Sequence, residues 1–223
     1  MAYTTEDNTE PFFQTKLYTG TGSALSVTFD GSEDMQPDWV WCKGRDVANL
    51  HALFDSVRGT GKALYADRSN AEENQAQGVT SFDSDGFSMG TLGDLNASTK
   101  TFVSWNWKAG GSASSNSDGT ITSSVSANTT AGFSIVSYTS NGSASQTVGH
   151  GLGAVPHWII AKNRDSGSSS YNYWTVYNHN LATANDKKLK LNETEAATTT
   201  NLWGDTDPTT TKFYVHTSGD GST

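Results

Sequence analysis

Pro37-Asp38-Trp39-Val40-Trp41-Cys42-Lys43-Gly44-Arg45-Asp46 recurs in altered form as Pro156-His157-Trp158-Ile159-Ile160-Ala161-Lys162-Asn163-Arg164-Asp165. Five of the ten positions are identical: the Pro, the first Trp, the Lys, the Arg and the Asp. Each copy is an apolar run, rich in aromatic or β-branched residues, that closes on two cations, which reads as a β-strand leaving a core. A strand written twice points to a folding unit written twice.

The match extends in both directions. Upstream, Phe13 to Gly22 lines up with Phe133 to Gly142, so that Tyr18-Thr19-Gly20-Thr21-Gly22 falls on Tyr138-Thr139-Ser140-Asn141-Gly142. Downstream, Lys62-Ala63-Leu64 falls on Lys187-Lys188-Leu189. Gly86-Phe87-Ser88-Met89, with Thr91, Gly93 and Asp94 after it, falls on Lys212-Phe213-Tyr214-Val215 with Thr217, Gly219 and Asp220. Between the copies lies Gly110-Gly111-Ser112-Ala113-Ser114-Ser115-Asn116-Ser117-Asp118-Gly119, without an apolar residue larger than Ala, which reads as a flexible linker. The expected organisation is an N-terminal arm (1–9), a first module (10–109), the linker (110–119) and a second module (120–223). The counterpart of Phe102-Val103-Ser104-Trp105-Asn106-Trp107 would begin at about position 228, so the second module is expected to lack its closing strand, or to receive one from a neighbouring subunit.

Repetition also decides a local ambiguity. Val47, Leu50, Leu53, Phe54 and Val57 recur at near-helical spacing, but the matching Tyr171-Asn172-Tyr173-Trp174-Thr175-Val176-Tyr177-Asn178 alternates aromatic and β-branched residues as a strand does. Strands are therefore predicted across Asp46 to Val57 and across 171–178. Others are predicted at Lys16 to Tyr18, Ser26 to Phe29, Trp39 to Lys43, Phe87 to Met89, Thr101 to Trp107, Phe133 to Thr139, Trp158 to Lys162, Leu189 to Leu191 and Phe213 to Val215. Asn141-Gly142, Asp85-Gly86 and Gly149-His150-Gly151-Leu152-Gly153 supply turns. The predicted class is all-β: two tandem, related β-sandwich domains joined by the Gly/Ser linker. Trp39, Trp41, Trp105, Trp107, Trp158 and Trp174 are the expected core anchors.

Composition agrees with this class. Of 223 residues, 22 are Gly, 28 Ser and 30 Thr, which disfavours long helices, while seven Trp, eight Tyr and nine Phe supply apolar area despite a hydrophobic fraction of 34%. The aromatic content and a charged fraction of 17% exclude a disordered chain. A net charge of -9 argues against a phosphate-backbone binder, so no nucleic-acid partner is expected. Without a run of 18 apolar residues or a basic, apolar leader, neither membrane insertion nor signal-directed export is expected. Cys42 is alone, and its neighbours Val40 and Trp41 suggest a buried thiol.

Candidate catalytic constellations fail on spacing. His51 with Asp55 and Arg58 could be a base with its orienting acid, but on a strand they read as ordinary neighbours. His150, His157, His179 and His216 lack the spacing that sets two imidazoles on one metal, and Arg58-Gly59-Thr60-Gly61-Lys62 lacks that of a phosphate loop. Asp83-Ser84-Asp85-Gly86 and Asp205-Thr206-Asp207 offer carboxylate pairs but not an EF-hand, which leaves a looser calcium site or plain Asx turns. No catalytic residue, metal ligand or cofactor is expected. The duplicated cations Lys43, Arg45, Lys162 and Arg164 are the candidate ligand-binding residues, gripping an anion or a sugar hydroxyl beside an aromatic. The competing reading is structural: a local ion pair with Asp46 or Asp165, and aliphatic stems laid on an aromatic floor.

Tyr18 to Gly22, Gln36 to Arg45, Leu53 to Gly59, Ser81 to Gly90 and Phe102 to Lys108 form an ordered set of motifs, continued by Val148 to Pro156 and Trp158 to Arg164. This set resembles a tail-fibre-like family of virion structural proteins in tailed phages, notably those infecting marine bacteria. The resemblance implies repeated lectin-like, jelly-roll-like β-sandwich modules, a place on the virion, no enzymatic activity and a homo-oligomer, such as a trimer. Its partners would be other virion proteins of the tail or capsid and a host cell-surface glycan, with paired modules raising avidity. Two alternatives stand beside this expectation: a capsid decoration or head-fibre protein, and a polysaccharide-degrading enzyme of the virion.

Overall fold

Alternation along β3 (Trp39–Gly44) shows how the sequence is used: Val40, Cys42 and Gly44 point inward and are buried, while Trp39, Trp41 and Lys43 are half-buried on the other face. The computed structural model describes residues 8–165 and 173–216, and nearly all of its regular structure is antiparallel strand. Before β3 come β1 (Phe13–Thr19) and β2 (Leu25–Thr28). After it come β4 (Ala52–Asp55), β5 (Lys62–Tyr65), β6 (Glu73–Asn74), β7 (Val79–Asp83), β8 (Gly86–Met89), the single turn of helix α1 (Gly93–Asn96) and β9 (Thr101–Trp107). The later strands are β10 (Ser114–Asn116), β11 (Ser123–Asn128), β12 (Phe133–Tyr138), β13 (Gln146–Gly149), β14 (Trp158–Ala161), β15 (Thr175–Asn178), β16 (Lys187–Lys190), β17 (Thr198–Thr199) and β18 (Lys212–Val215). The chain divides into two compact units, Met1–Ala63 with Asn74–Gly111, and Leu64–Glu73 with Ser112–Thr223.

One six-stranded sheet runs β1-β9-β3-β4-β5-β6, and a three-stranded sheet runs β2-β8-β7. Strand β9 pairs antiparallel with β1 on one edge and with β3 on the other. Its inward residues Phe102, Ser104 and Asn106 are fully buried, and Asn106 Nδ2 donates to Gln14 O at 3.0 Å and Ser104 Oγ at 3.0 Å, while its Oδ1 is buried without a hydrogen-bond partner. Tyr18 stacks on Phe102 (5.4 Å between centroids) and meets Phe87 of the smaller sheet edge-on (6.3 Å). On the outer face, Trp41 packs on Trp105 and Phe13 on Trp107. Gly86, at φ +117°, closes the turn between β7 and β8, where a Cβ would come within 2.0 Å of Val27 O.

In the second unit the sheets are β10-β11-β12, β13-β18 and β14-β15-β16-β17. The order β3-β4-β5-β6 thus returns as β14-β15-β16-β17, and the pair β2-β8 as β13-β18. Registers repeat as well. Trp39 faces Asp55 across the ladder as Trp158 faces Asn178, and Val27 faces Phe87 as Val148 faces Phe213. Two apolar clusters hold this unit: Ile121, Val148, Phe213 and Val215, and Tyr177, Ala184, Leu202 and Trp203. Strand β12, the counterpart of β1, pairs only with β11, and β14, the counterpart of β3, only with β15. No described strand takes the place that β9 holds in the first unit.

Four expectations need correction. The strand predicted across Asp46 to Val57 is confined to Ala52–Asp55, because Asp46 leaves the sheet to accept the Thr101 N–H at 2.9 Å. At the other end, Asp55 turns the chain back by accepting both Arg58 N (2.9 Å) and Arg58 Nε (2.5 Å). Of the stretch predicted as a strand across 171–178, Thr175–Asn178 is strand, while 171 and 172 lie outside the described residues. The Gly/Ser stretch is not an open tether throughout: Ser114–Asn116 is strand, bonded to β11, since backbone pairing is indifferent to the small side chains. Trp158 is no core residue. It is 60% exposed, while Trp174 is 2% exposed and Trp39, Trp41, Trp105 and Trp107 are half-buried. The cause is the unpaired edge of β14, which leaves Trp158 without the cover that β9 gives Trp39.

The Asp55–Arg58 pair is buried on both sides, at 3% and 5% side-chain exposure, and Arg58 also donates to Lys62 O and Leu53 O. Removing one partner strands a charge in the interior. Arg58→Met is expected to cost about 3–5 kcal/mol in urea unfolding followed by tryptophan fluorescence, and Asp55→Leu in the same chain to recover most of that loss.

Candidate functional site

The missing neighbour of β12 and β14 leaves a cleft of about 410 Å³ in the second unit. One wall is the end of β12, Val136, Ser137 and Tyr138, with Thr139 and Ser140 after it. The opposite wall is Ala161 at the end of β14 and the segment Lys162 to Asp165. Thr175, Leu202, Trp203 and Val215 complete the lining. These walls are the strands of the duplicated motif, so the site was visible in the sequence as the end of the repeated strand. Leu202 and Trp203 were not, because they lie in a turn outside any strand signature and are fixed by Trp203 Nε1 donating to Lys187 O at 2.9 Å.

Tyr138 meets Phe213 edge-on at 6.5 Å, the relation Tyr18 has with Phe87. Burial pushes its hydroxyl up to about 12, so the ring stands neutral at every ordinary pH. Lys43, Lys162 and Arg164 are engaged by the protein itself. Lys162 Nζ donates to Asn163 O at 2.6 Å and to Ser69 O at 3.2 Å, and Lys43 Nζ makes the same bond to the next carbonyl, Gly44 O, at 3.2 Å. Arg164 Nη1 donates to Ser137 Oγ at 2.8 Å, Nε to Glu72 Oε2 at 3.0 Å and Nη2 to Glu72 Oε1 at 3.4 Å, so its fork joins three segments of this unit. Arg45 is exposed in the first unit, where its backbone N–H donates to Thr101 O at 2.8 Å.

This placement corrects the local ion-pair reading. Arg164 pairs with Glu72 rather than Asp165, and Asp46 serves a backbone N–H that holds its carboxyl below the ordinary carboxylate range. The reason is competition from other partners: Asp46 is taken by the Thr101 N–H and Arg164 by Glu72 and Ser137. Three other carboxylates singled out in the sequence also have structural partners. Asp83 accepts Ser81 Oγ and Ser88 Oγ, Asp85 accepts the Met35 N–H, and Asp207 accepts the Tyr177 hydroxyl. Asp55 is held by Arg58. Among the described residues no group of three His, Cys, Asp or Glu side chains could hold a metal ion. What the cleft offers is two strand edges with backbone donors and acceptors, a neutral aromatic wall and an apolar floor.

Burial lowers Lys162 to about 8. Below that pH the folded and unfolded chains both carry the proton, and the folded state bears the full cost of a desolvated ammonium. Between pH 8 and about 10.4, the ordinary lysine value, the unfolded chain binds more protons, so this contribution to stability rises with pH. The difference in melting temperature between the parent and Lys162→Met is therefore expected to move in the parent's favour from pH 7 to about pH 10.5, on top of a pH-independent loss from the bonds to Asn163 O and Ser69 O. A difference constant over that range in thermal melts would contradict the assignment.

No curated protein and no solved structure matches the chain. A family model described as "Domain of unknown function (DUF7483)" matches residues 8–223. Since that match takes in both copies of the duplicated motif and the cleft between β12 and β14, the chain belongs to the DUF7483 family.

Proposed function

We propose that this protein is a non-enzymatic structural component of a tailed-phage particle, built of two related β-sandwich units and placed on a tail-fibre-like appendage, where it serves assembly and contact with the host surface. The observation that carries the reading is the strand-by-strand repetition of sheet order and register between the units. Appendages that meet a surface through repeated modules gain from such duplication, because a second weak contact forms at high effective concentration. The motif blocks that resemble the phage family coincide with these shared strands: Gln36 to Arg45 carries β3, and Trp158 to Arg164 carries β14.

A second support lies in how the charged residues are used. The cations and carboxylates that could have formed an acid–base pair are tied to backbone groups or to each other, as Asp55 is to Arg58 and Arg164 to Glu72. Attachment to a glycan would then rest on surface other than these engaged motif cations.

Two measurements test the reading. Immunogold electron microscopy of particles that carry this chain is expected to place the label on the tail. Label on the head would move the protein to a capsid decoration role, and a chain missing from purified particles would sink the virion assignment. Incubation of the protein with host surface polysaccharide is expected to release no new reducing ends; their appearance would favour the depolymerase alternative.

A further inference from the structure

We propose that the cleft between β12 and β14 is a strand-binding slot whose occupant is an extended segment of a partner polypeptide with the chemistry of β9, bound antiparallel to both walls. The inference goes beyond the particle reading and does not depend on it. It is carried by the first unit, which shows the same site filled. There Phe13 and Trp39 lie level across Trp107, and Tyr18 and Gly44 lie level across Phe102. The duplicated motif carries these positions to Phe133 with Trp158 and to Tyr138 with Asn163.

Several features that β9 satisfies in the first unit lack their partner among the described residues of the second. Tyr18 stacks on Phe102, whereas Tyr138, set against Phe213 as Tyr18 is against Phe87, lines the cleft. Trp39 is half-buried, whereas Trp158 is 60% exposed. Along β3 the inward residues Val40 and Cys42 have no exposure, whereas their counterparts Ile159 and Ala161 are half-buried. Among the described residues β12 pairs only with β11 and β14 only with β15, and the motif register places them as β1 and β3 are placed on either side of β9, so one strand antiparallel to both would complete the sheet by β-augmentation.

The geometry states what the occupant must carry. An aromatic residue belongs level with Tyr138, small or amide-bearing residues belong at the next two inward positions, as Ser104 and Asn106 do, and bulky aromatics on the outer face belong against Trp158 and Ile160. Strand β9 has that pattern, but it is already bonded along both edges. No second stretch of the 223 residues repeats Thr101 to Trp107.

The test uses the full chain and a synthetic peptide copying Thr101 to Lys108. Fluorescence anisotropy is expected to show saturable one-to-one binding. Hydrogen exchange should gain protection on both β12 and β14, at the amides not already bonded to β11 or β15. A peptide with Phe102→Ser should bind about tenfold more weakly, as should the wild-type peptide to the Tyr138→Ser chain, in line with loss of one aromatic pair. The peptide variant keeps the test decisive if Tyr138→Ser fails to fold. The proposal is overturned by absence of binding up to the peptide's solubility limit, by protection confined to one of the two strands, or by indifference to Phe102→Ser. It is also overturned if dextran sulfate oligosaccharides protect both edges where the peptide does not, since the cleft would then be an anionic-glycan site.

Discussion

Strand β9 is bonded along both edges, and that single fact organises the first unit. It welds β1, from the start of the chain, to β3, and brings three inward residues into the interior with every exposure removed. The half-buried tryptophans, the Tyr18 and Phe102 stack and the amide of Asn106 all take their places from it. In the second unit the same neighbours stand in the same order and register without such a strand. The contrast between one chain's two copies measures what a central strand does: β3 and β14 share their ladder partners, yet Trp158, Ile159 and Ala161 are each more exposed than Trp39, Val40 and Cys42.

Much of this was legible in the residues because strand identity is carried by local alternation, and duplication doubled the signal. Trp39 to Lys43 and Trp158 to Lys162 announce themselves by aromatic and β-branched content, and Lys62, Lys187, Gly86 and Lys212 each open a strand where the alignment placed them. What escaped was decided by side-chain-to-backbone bonds that no periodicity reports. Asp46 and Asp55 bend their segment out of a strand by accepting particular N–H groups, and Ser114 to Asn116 become a strand only because β11 lies beside them. Long-range partners decide such places, and a propensity argument does not contain them.

The candidate site was half legible for a related reason. Its walls belong to the repeated motif, but its character comes from an omission that becomes visible only when the two copies are superposed as topology. Lys162 and Arg164 drew notice as a duplicated pair of cations. Their hydrogen bonds to Ser69 O, Ser137 and Glu72 make them braces of the fold, and the burial of Tyr138 and the openness of Trp158 turn out to be the informative features. A polar residue attracts functional readings in a sequence; here the aromatic ones mark the opening.

Cys42 sits on β3 directly across the ladder from Ser104 of β9, fully buried, with its thiol pushed up to about 12 by loss of solvent. A sulfhydryl in that state is almost entirely the unreactive acid form, and no reagent can approach it while β9 is seated. The molecule's single cysteine thus acts as a native chemical gauge: its alkylation requires the packing around β3 to open.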